Sequence, residues 1–153
     1  MKNENLINSY ISVEVEPKRT NRFTVELPSE LNIESYLISK VDRPSLSNGK
    51  WNSIKITFLD MIVDSPAEKL IPFYDELNYN KAQDFSYMHF ISIKDLDPVG
   101  VEVGKWIISF NEIANIDFGN NSYGIDGIQT CSLTIQPKNC IYHQTINLTK
   151  PSC

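Results

Sequence analysis

The sequence predicts an α+β domain, mainly β: a β-sandwich or small barrel of about seven to eight strands with one flanking helix. Three observations point there. Apolar and polar residues alternate with period two in segment after segment. Isoleucine is abundant, whereas alanine occurs only at Ala67, Ala82 and Ala114, the reverse of what a helical bundle favours. A single stretch combines helical spacing with a signed start. At 153 residues the chain suits one domain, expected to span 1–153 with arms at 1–9 and 141–153.

Taken in order, Ile11, Val13 and Val15 alternate with Ser12, Glu14 and Glu16. Phe23, Val25 and Leu27 alternate with Thr24 and Glu26 until Pro28 closes the run, and Tyr36 to Val41 is an optional further strand. Asn48-Gly49 is a hairpin signal ahead of Trp51. Ile54, Ile56 and Phe58 alternate with Lys55 and Thr57. Ser65 can then cap a helix, Pro66 suits its first position, and Glu68 completes a capping box. Ala67, Leu70, Ile71, Tyr74 and Leu77 make its apolar stripe, and Pro72 predicts that the helix is short or kinked. Further strands follow at Tyr87–Lys94, Lys105–Phe110, Cys131–Gln136 and Ile141–Leu148. Asp97-Pro98-Val99-Gly100 suits a tight turn, and Phe118 to Gly127 reads as a loop.

Charge narrows the function classes. The formal balance is 14 − 19 = −5, spread as 9 − 12 = −3 through Glu76 and 5 − 7 = −2 beyond it. With no basic stretch, binding to duplex DNA by phosphate neutralisation is not expected. No apolar run approaches the ~20 residues of a membrane span, and the polar opening lacks the apolar core of a secretion signal. A soluble domain without membrane contact is expected. Cys131, Cys140 and Cys153 form an odd set without a CxxC pair, which reads as reduced thiols, Cys131 as a buried small hydrophobe.

The chain offers little to chemistry. Asp95 with Asp97, and Asp60 with Asp64, are near in sequence, but they flank turns or strand ends where solvated acids are common. Cys140 and His143 fall on opposite faces of a strand, which defeats a nucleophile–base pair. His89 reads as a core or edge imidazole, and two histidines are too few for a histidine-rich metal site. No P-loop, dinucleotide fingerprint or zinc spacing is present, so no cofactor, metal or catalytic residue is expected. Trp51 and Trp106 lie within alternating strands and read as core.

The order of the motifs carries a resemblance. Asn21-Arg22-Phe23-Thr24-Val25-Glu26 precedes Val41-Asp42-Arg43-Pro44, and Trp51 to Asp60 runs up to the helix. Leu96-Asp97-Pro98-Val99-Gly100, Gly104-Lys105-Trp106, Ile116-Asp117-Phe118-Gly119 and Cys131 to Gln136 follow in turn. From about Asn21 to Tyr142 this resembles the tail tube protein family of contractile-tailed bacteriophages, and it is similar to tube proteins of contractile injection systems. The resemblance implies a structural protein of the virion tail, assembled in the host cytoplasm and not an enzyme. Such proteins form hexameric rings whose strands join into a continuous inner barrel; a sheath surrounds the stacked rings, and DNA passes down the lumen. Pairing edge strands between copies would remove the liability of open sheet edges, and an acidic wall would let DNA slide. Sheath, baseplate or tail terminator proteins are the implied partners.

One departure stands out. Only Ser45 to Lys50 separates the Val41-Asp42-Arg43-Pro44 segment from Trp51, where many of these proteins carry a longer hairpin. A baseplate protein that initiates the tube, or one that ends it, is therefore an alternative. Another, from a different class, is a monomeric ligand-binding β-sandwich using Trp51 or Tyr123. A hydrolase resting on Asp95 and Asp97 is the third. The residues expected at subunit interfaces are Asp42, Arg43, Ser45, Asn48 and Lys50 in one loop, and Asn120, Asn121, Tyr123 and Asp126 in another.

Overall fold

A computed structural model describes residues 16–83, 87–124 and 126–145. The strand expected at Ile11–Glu16 falls outside these residues apart from Glu16, as do Cys153 and the C-terminal arm beyond Thr145. Eight strands are present among the described residues: β1 (Phe23–Glu26), β2 (Ile38–Val41), β3 (Leu46–Ser47), β4 (Lys50–Trp51), β5 (Ile54–Leu59), β6 (His89–Leu96), β7 (Glu102–Asp117) and β8 (Thr130–Gln144). One α-helix, α1 (Ala67–Ala82), joins β5 to β6, and a 3-10 turn at Ser35–Leu37 leads into β2. Six strands form one antiparallel sheet in the order β1-β6-β7-β8-β5-β2, and β3 and β4 form a separate hairpin. The sheet curls into a nearly closed barrel.

Alternation places the core. Ile54, Ile56 and Phe58 on β5, Ile91 and Ile93 on β6, Ile108 and Phe110 on β7, and Leu133 and Ile135 on β8 all point inward and are buried. Each such side chain contributes about 1.5–3 kcal/mol relative to an exposed one. Cys131 and Cys140 are free, buried thiols within the same interior. Burial pushes both pKa values up to about 11, with the Asp60 carboxylate adding to the effect at Cys131. The run at Ile141 is no separate strand; it continues β8, which stays paired with β7 from Asp117↔Ser132 up to Gly104↔Gln144. Gly104 is needed at that far pair, because a Cβ there would strike the ring of Tyr142.

The helix differs from expectation in two ways. Ser65 does serve its start, its Oγ accepting from the Ala67 amide at 3.2 Å while donating to Asp60 Oδ1. The helix is not short: it continues through Pro72 for 16 residues in all. Proline lacks an amide for the Glu68 carbonyl, and both residues lie on the exposed side, where water can serve that oxygen. The buried stripe is Leu70, Phe73 and Leu77, whereas Ile71 and Tyr74 are exposed. Phe73 decides the rotation: its ring meets His89 edge-on at 5.1 Å and Phe110 at 6.4 Å between centroids.

The turns form as the residues require. Asn48 (φ 53°) and Gly49 (φ 75°) make the two-residue loop of β3–β4 with both φ values positive, the mirror-image turn that matches strand twist. Between β6 and β7, Asp97 Oδ1 accepts from Val99 N at 3.0 Å and Val101 N at 2.8 Å. The Gly100 amide donates to the Asp97 carbonyl at 3.0 Å.

Candidate assembly interface

Strand direction sorts the connections to two ends of the barrel. Segments 16–22, 42–53 and 97–101 lie at one end, here the mouth end. The described parts of segments 27–37, 60–66, 83–88 and 118–129 lie at the other, the loop end. The expected interface residues are therefore not brought together. Asp42, Arg43, Ser45, Asn48 and Lys50 sit at the mouth end, and Asn120, Asn121, Tyr123 and Asp126 at the loop end.

Several residues of the mouth-end group have internal work. Asp42 prolongs the β2–β5 ladder, its amide donating to the Lys55 carbonyl at 3.0 Å and its Oδ2 accepting from the Lys55 amide at 3.2 Å. Ser45 is tied to Asn52, whose side-chain amide donates to the Oγ atoms of Ser45 and Ser47 at 2.9 and 3.0 Å. Arg43 reaches Asp95 at 3.4 Å. Asn48 and Lys50 are exposed at the hairpin tip.

Asp95 is the residue that reading the sequence as a string of solvated acids misplaces. It is 7% exposed, and its Oδ2 pairs with Lys18 Nζ at 3.2 Å as well as with Arg43. It lies on the inward face of β6, two residues beyond Ile93, and the Lys18 and Arg43 cations satisfy the buried carboxyl oxygen. Burial works against the Lys18 ammonium, but hydrogen bonds to Tyr142 and Asp95 outweigh it and raise its pKa. The Lys18 cation also lies 4.4 Å from the centroid of the Tyr142 ring. Tyr142 packs on Trp106 at 5.1 Å, and Trp106 meets Trp51 edge-on at 6.3 Å. The tryptophans thus pack at the border of the core, half-buried, where full core positions were expected. His89 stands in the core edge as expected.

The two ends differ in chemistry. Among the described residues, the loop-end segments carry Glu30, Glu34, Asp60, Asp64 and Asp126 and no lysine or arginine. Exposed apolar side chains gather there: Met61, Ile62, Val63, Phe118, Tyr123 and Ile128, with Ile62 and Tyr123 fully in solvent. A groove of about 300 Å³ lined by Ile71, Tyr74, Ile116 and Phe118 adjoins them, beside an open concavity between Asn120 and Gln129. Mouth-end segments instead carry Lys18, Arg19, Arg22, Arg43 and Lys50 against Glu16, Asp42 and Asp97. No group of three or more acidic, histidine or cysteine side chains is placed to hold a metal among the described residues, and none of their helices is long and apolar enough to cross a membrane.

No protein-family model and no curated protein matches the chain. Solved structures do. A chain of the extended sheath–tube complex of the PVC extracellular contractile injection system superposes with a TM-score of 0.62 at 16% identity, covering 90% of this chain and 97% of that one. A chain of the PVC sheath/tube terminator in its extended state gives 0.58 at 15%, covering 83% and 96%. A chain of the anti-feeding prophage baseplate gives 0.50 at 11%, covering 84% and 96%. The likeness is one of fold. It spans nearly the whole of each neighbour, and the neighbours come from tube, terminator and baseplate alike.

Proposed function

We propose that this chain is a structural component of a contractile tail or injection system, acting through subunit contacts. Copies form a hexameric ring that takes part in the tube, with DNA passing through its lumen without specific binding. The observation that carries this reading is the chemical contrast between the two ends of one barrel. Acidic, apolar loop-end segments without lysine or arginine among the described residues, and a basic end on the same chain, suit heterologous, end-to-end contact, in which each subunit uses different surfaces toward its neighbours. Large exposed side chains such as Ile62 and Tyr123 are costly to leave in water, and burial at an interface removes that cost. The full-length likeness to tube and baseplate chains supports the same reading.

A second reading, a ring that initiates or ends the tube, has its own observation. The β3–β4 hairpin has strands of only two residues each, where the tail tube resemblance implies a longer one. Less surface is then left for packing between successive rings. A ligand-binding site at Trp51 is disfavoured by its packing against Trp106. Electron microscopy and sedimentation of the purified protein across a concentration series test the proposal. Rings, stacked or single, are expected; a protein that stays monomeric at every concentration overturns it. Stacked tubes select the first reading and isolated rings the second.

A further inference from the structure

Two features at opposite ends of the barrel complement each other. The first is the loop between β5 and α1. Met61, Ile62 and Val63 are consecutive and exposed, Ile62 fully, and Asp60 and Asp64 stand on either side of them. The loop is tied down where it leaves the sheet and where it enters the helix. The Asp60 amide donates to the Gln129 carbonyl at 2.9 Å, and Asp60 Oδ1 accepts from Ser65 Oγ at the helix start. Asp64 holds the left-handed conformation, φ 58°, which aspartate adopts more readily than most residues. An apolar tip on a loop already fixed in this way gives up little freedom when it docks.

The second is a small pocket at the mouth end, about 160 Å³ in volume. Its floor is apolar: Ile93 is buried, and Phe23 and Val41 are half-buried against the core. Exposed Lys18, Arg19 and Arg43 surround that floor, three cations against the one carboxylate of Asp95. The volume falls below the roughly 300–1,000 Å³ of a small-molecule site and suits a single aliphatic side chain. An apolar tip between two carboxylates thus matches an apolar floor beneath an excess of positive charge. Strand direction sets the tip and the pocket at opposite ends of the barrel, so the loop cannot reach the pocket of its own subunit.

We propose that Ile62 of one copy seats in the mouth pocket of the next copy, with the Asp60 and Asp64 carboxylates set against the cations around the pocket. The contact is heterologous, loop end onto mouth end, and repeats along an axis. It therefore couples one ring to the following ring. This rests on the assembly reading above and names the contact through which copies stack.

Sedimentation and electron microscopy of Ile62→Lys beside wild type test it. Ile62 stands wholly in solvent, so the variant should keep the urea unfolding curve of wild type. The protein concentration at which rings stack should rise at least tenfold, because a cation then meets the cationic pocket, while single rings persist. Cross-linking reads the contact itself. In a Cys153→Ser background, Ile62→Cys and Thr20→Cys copies, mixed and treated with a mild oxidant, should form disulfide-linked pairs that neither variant forms alone; Thr20 is an exposed residue of the pocket. Should Ile62→Lys not fold, the cross-linking result decides by itself. Wild-type protein that stays monomeric at every concentration overturns the assembly reading and this proposal together. Stacking unchanged in Ile62→Lys, rings lost along with stacks, isolated wild-type rings, or stacked mixtures without linked pairs would each overturn the docking contact and leave the assembly reading standing.

Discussion

The β7–β8 hairpin and the β1/β2 borders are built from similar residues and behave as opposites. β7 and β8 are 16 and 15 residues long, and their ladder extends from Gly104↔Gln144 to Asp117↔Ser132. Each also pairs on its other edge, with β6 or β5, so both are internal to the sheet. β1 and β2 have four residues each and, among the described residues, one ladder partner apiece. Where the long hairpin holds its side chains by backbone pairing on both sides, the borders depend on a side-chain clasp, Lys18–Asp95–Arg43, that spans the mouth between them. Stability therefore concentrates in β5–β8, with β1 and β2 the weaker part of the barrel.

The contrast can be broken most sharply from the core. Phe110 is fully buried on β7 and carries the rings of Phe73 and His89. Phe110→Ala should cost about 3–5 kcal/mol in urea unfolding, because the cavity lies where the sheet is paired on both sides and collapses poorly. A cost below about 1 kcal/mol would mean that the β7 side is not the rigid half. At the borders, Asp95→Asn should cost roughly 1–2 kcal/mol by the same measurement, less than a fully buried ion pair would, since both cations stay partly in water. An Asp95→Asn protein as stable as wild type would show that the clasp contributes nothing to closure.

A further effect is on pH dependence. Cys131 and Cys140 titrate near 11 when folded and near 9.0 in the reference state, so the unfolded chain loses these protons first as pH rises. Their contribution to stability is whole below pH 9 and is lost between about 9 and 11. In a Cys153→Ser background, both thiols should resist a disulfide reagent at pH 8 until the protein is unfolded. Reaction of either thiol in the native protein would place that part of β8 at a surface.

Much of this architecture was legible in the residues themselves. Alternation along β5, β6, β7 and β8 assigned nearly every inward side chain, because a strand with one buried face must repeat every two residues. Asn48-Gly49 and Asp97-Pro98-Val99-Gly100 announced their turns through backbone preferences that act over four residues. The candidate interface was less legible. Asp95 looks like any acid near a turn, and only the approach of Lys18 from 77 residues upstream and Arg43 from 52 upstream makes it a buried, paired charge. The polarity of the two ends was equally hidden, since acids and cations alternate along the chain and separate only once strand directions are known.

Local rules thus determined the strands, the turns and the existence of one helix, all of which depend on neighbours a few residues apart. Tertiary structure decided which face of that helix is buried. Leu70, Ile71, Phe73, Tyr74 and Leu77 form two overlapping apolar stripes, and the rings of His89 and Phe110 beneath Phe73 select one of them. Tertiary structure also decided that the sheet curls until its two borders face each other. Closure is set by the summed twist and stagger of six strands, a quantity that no single segment contains.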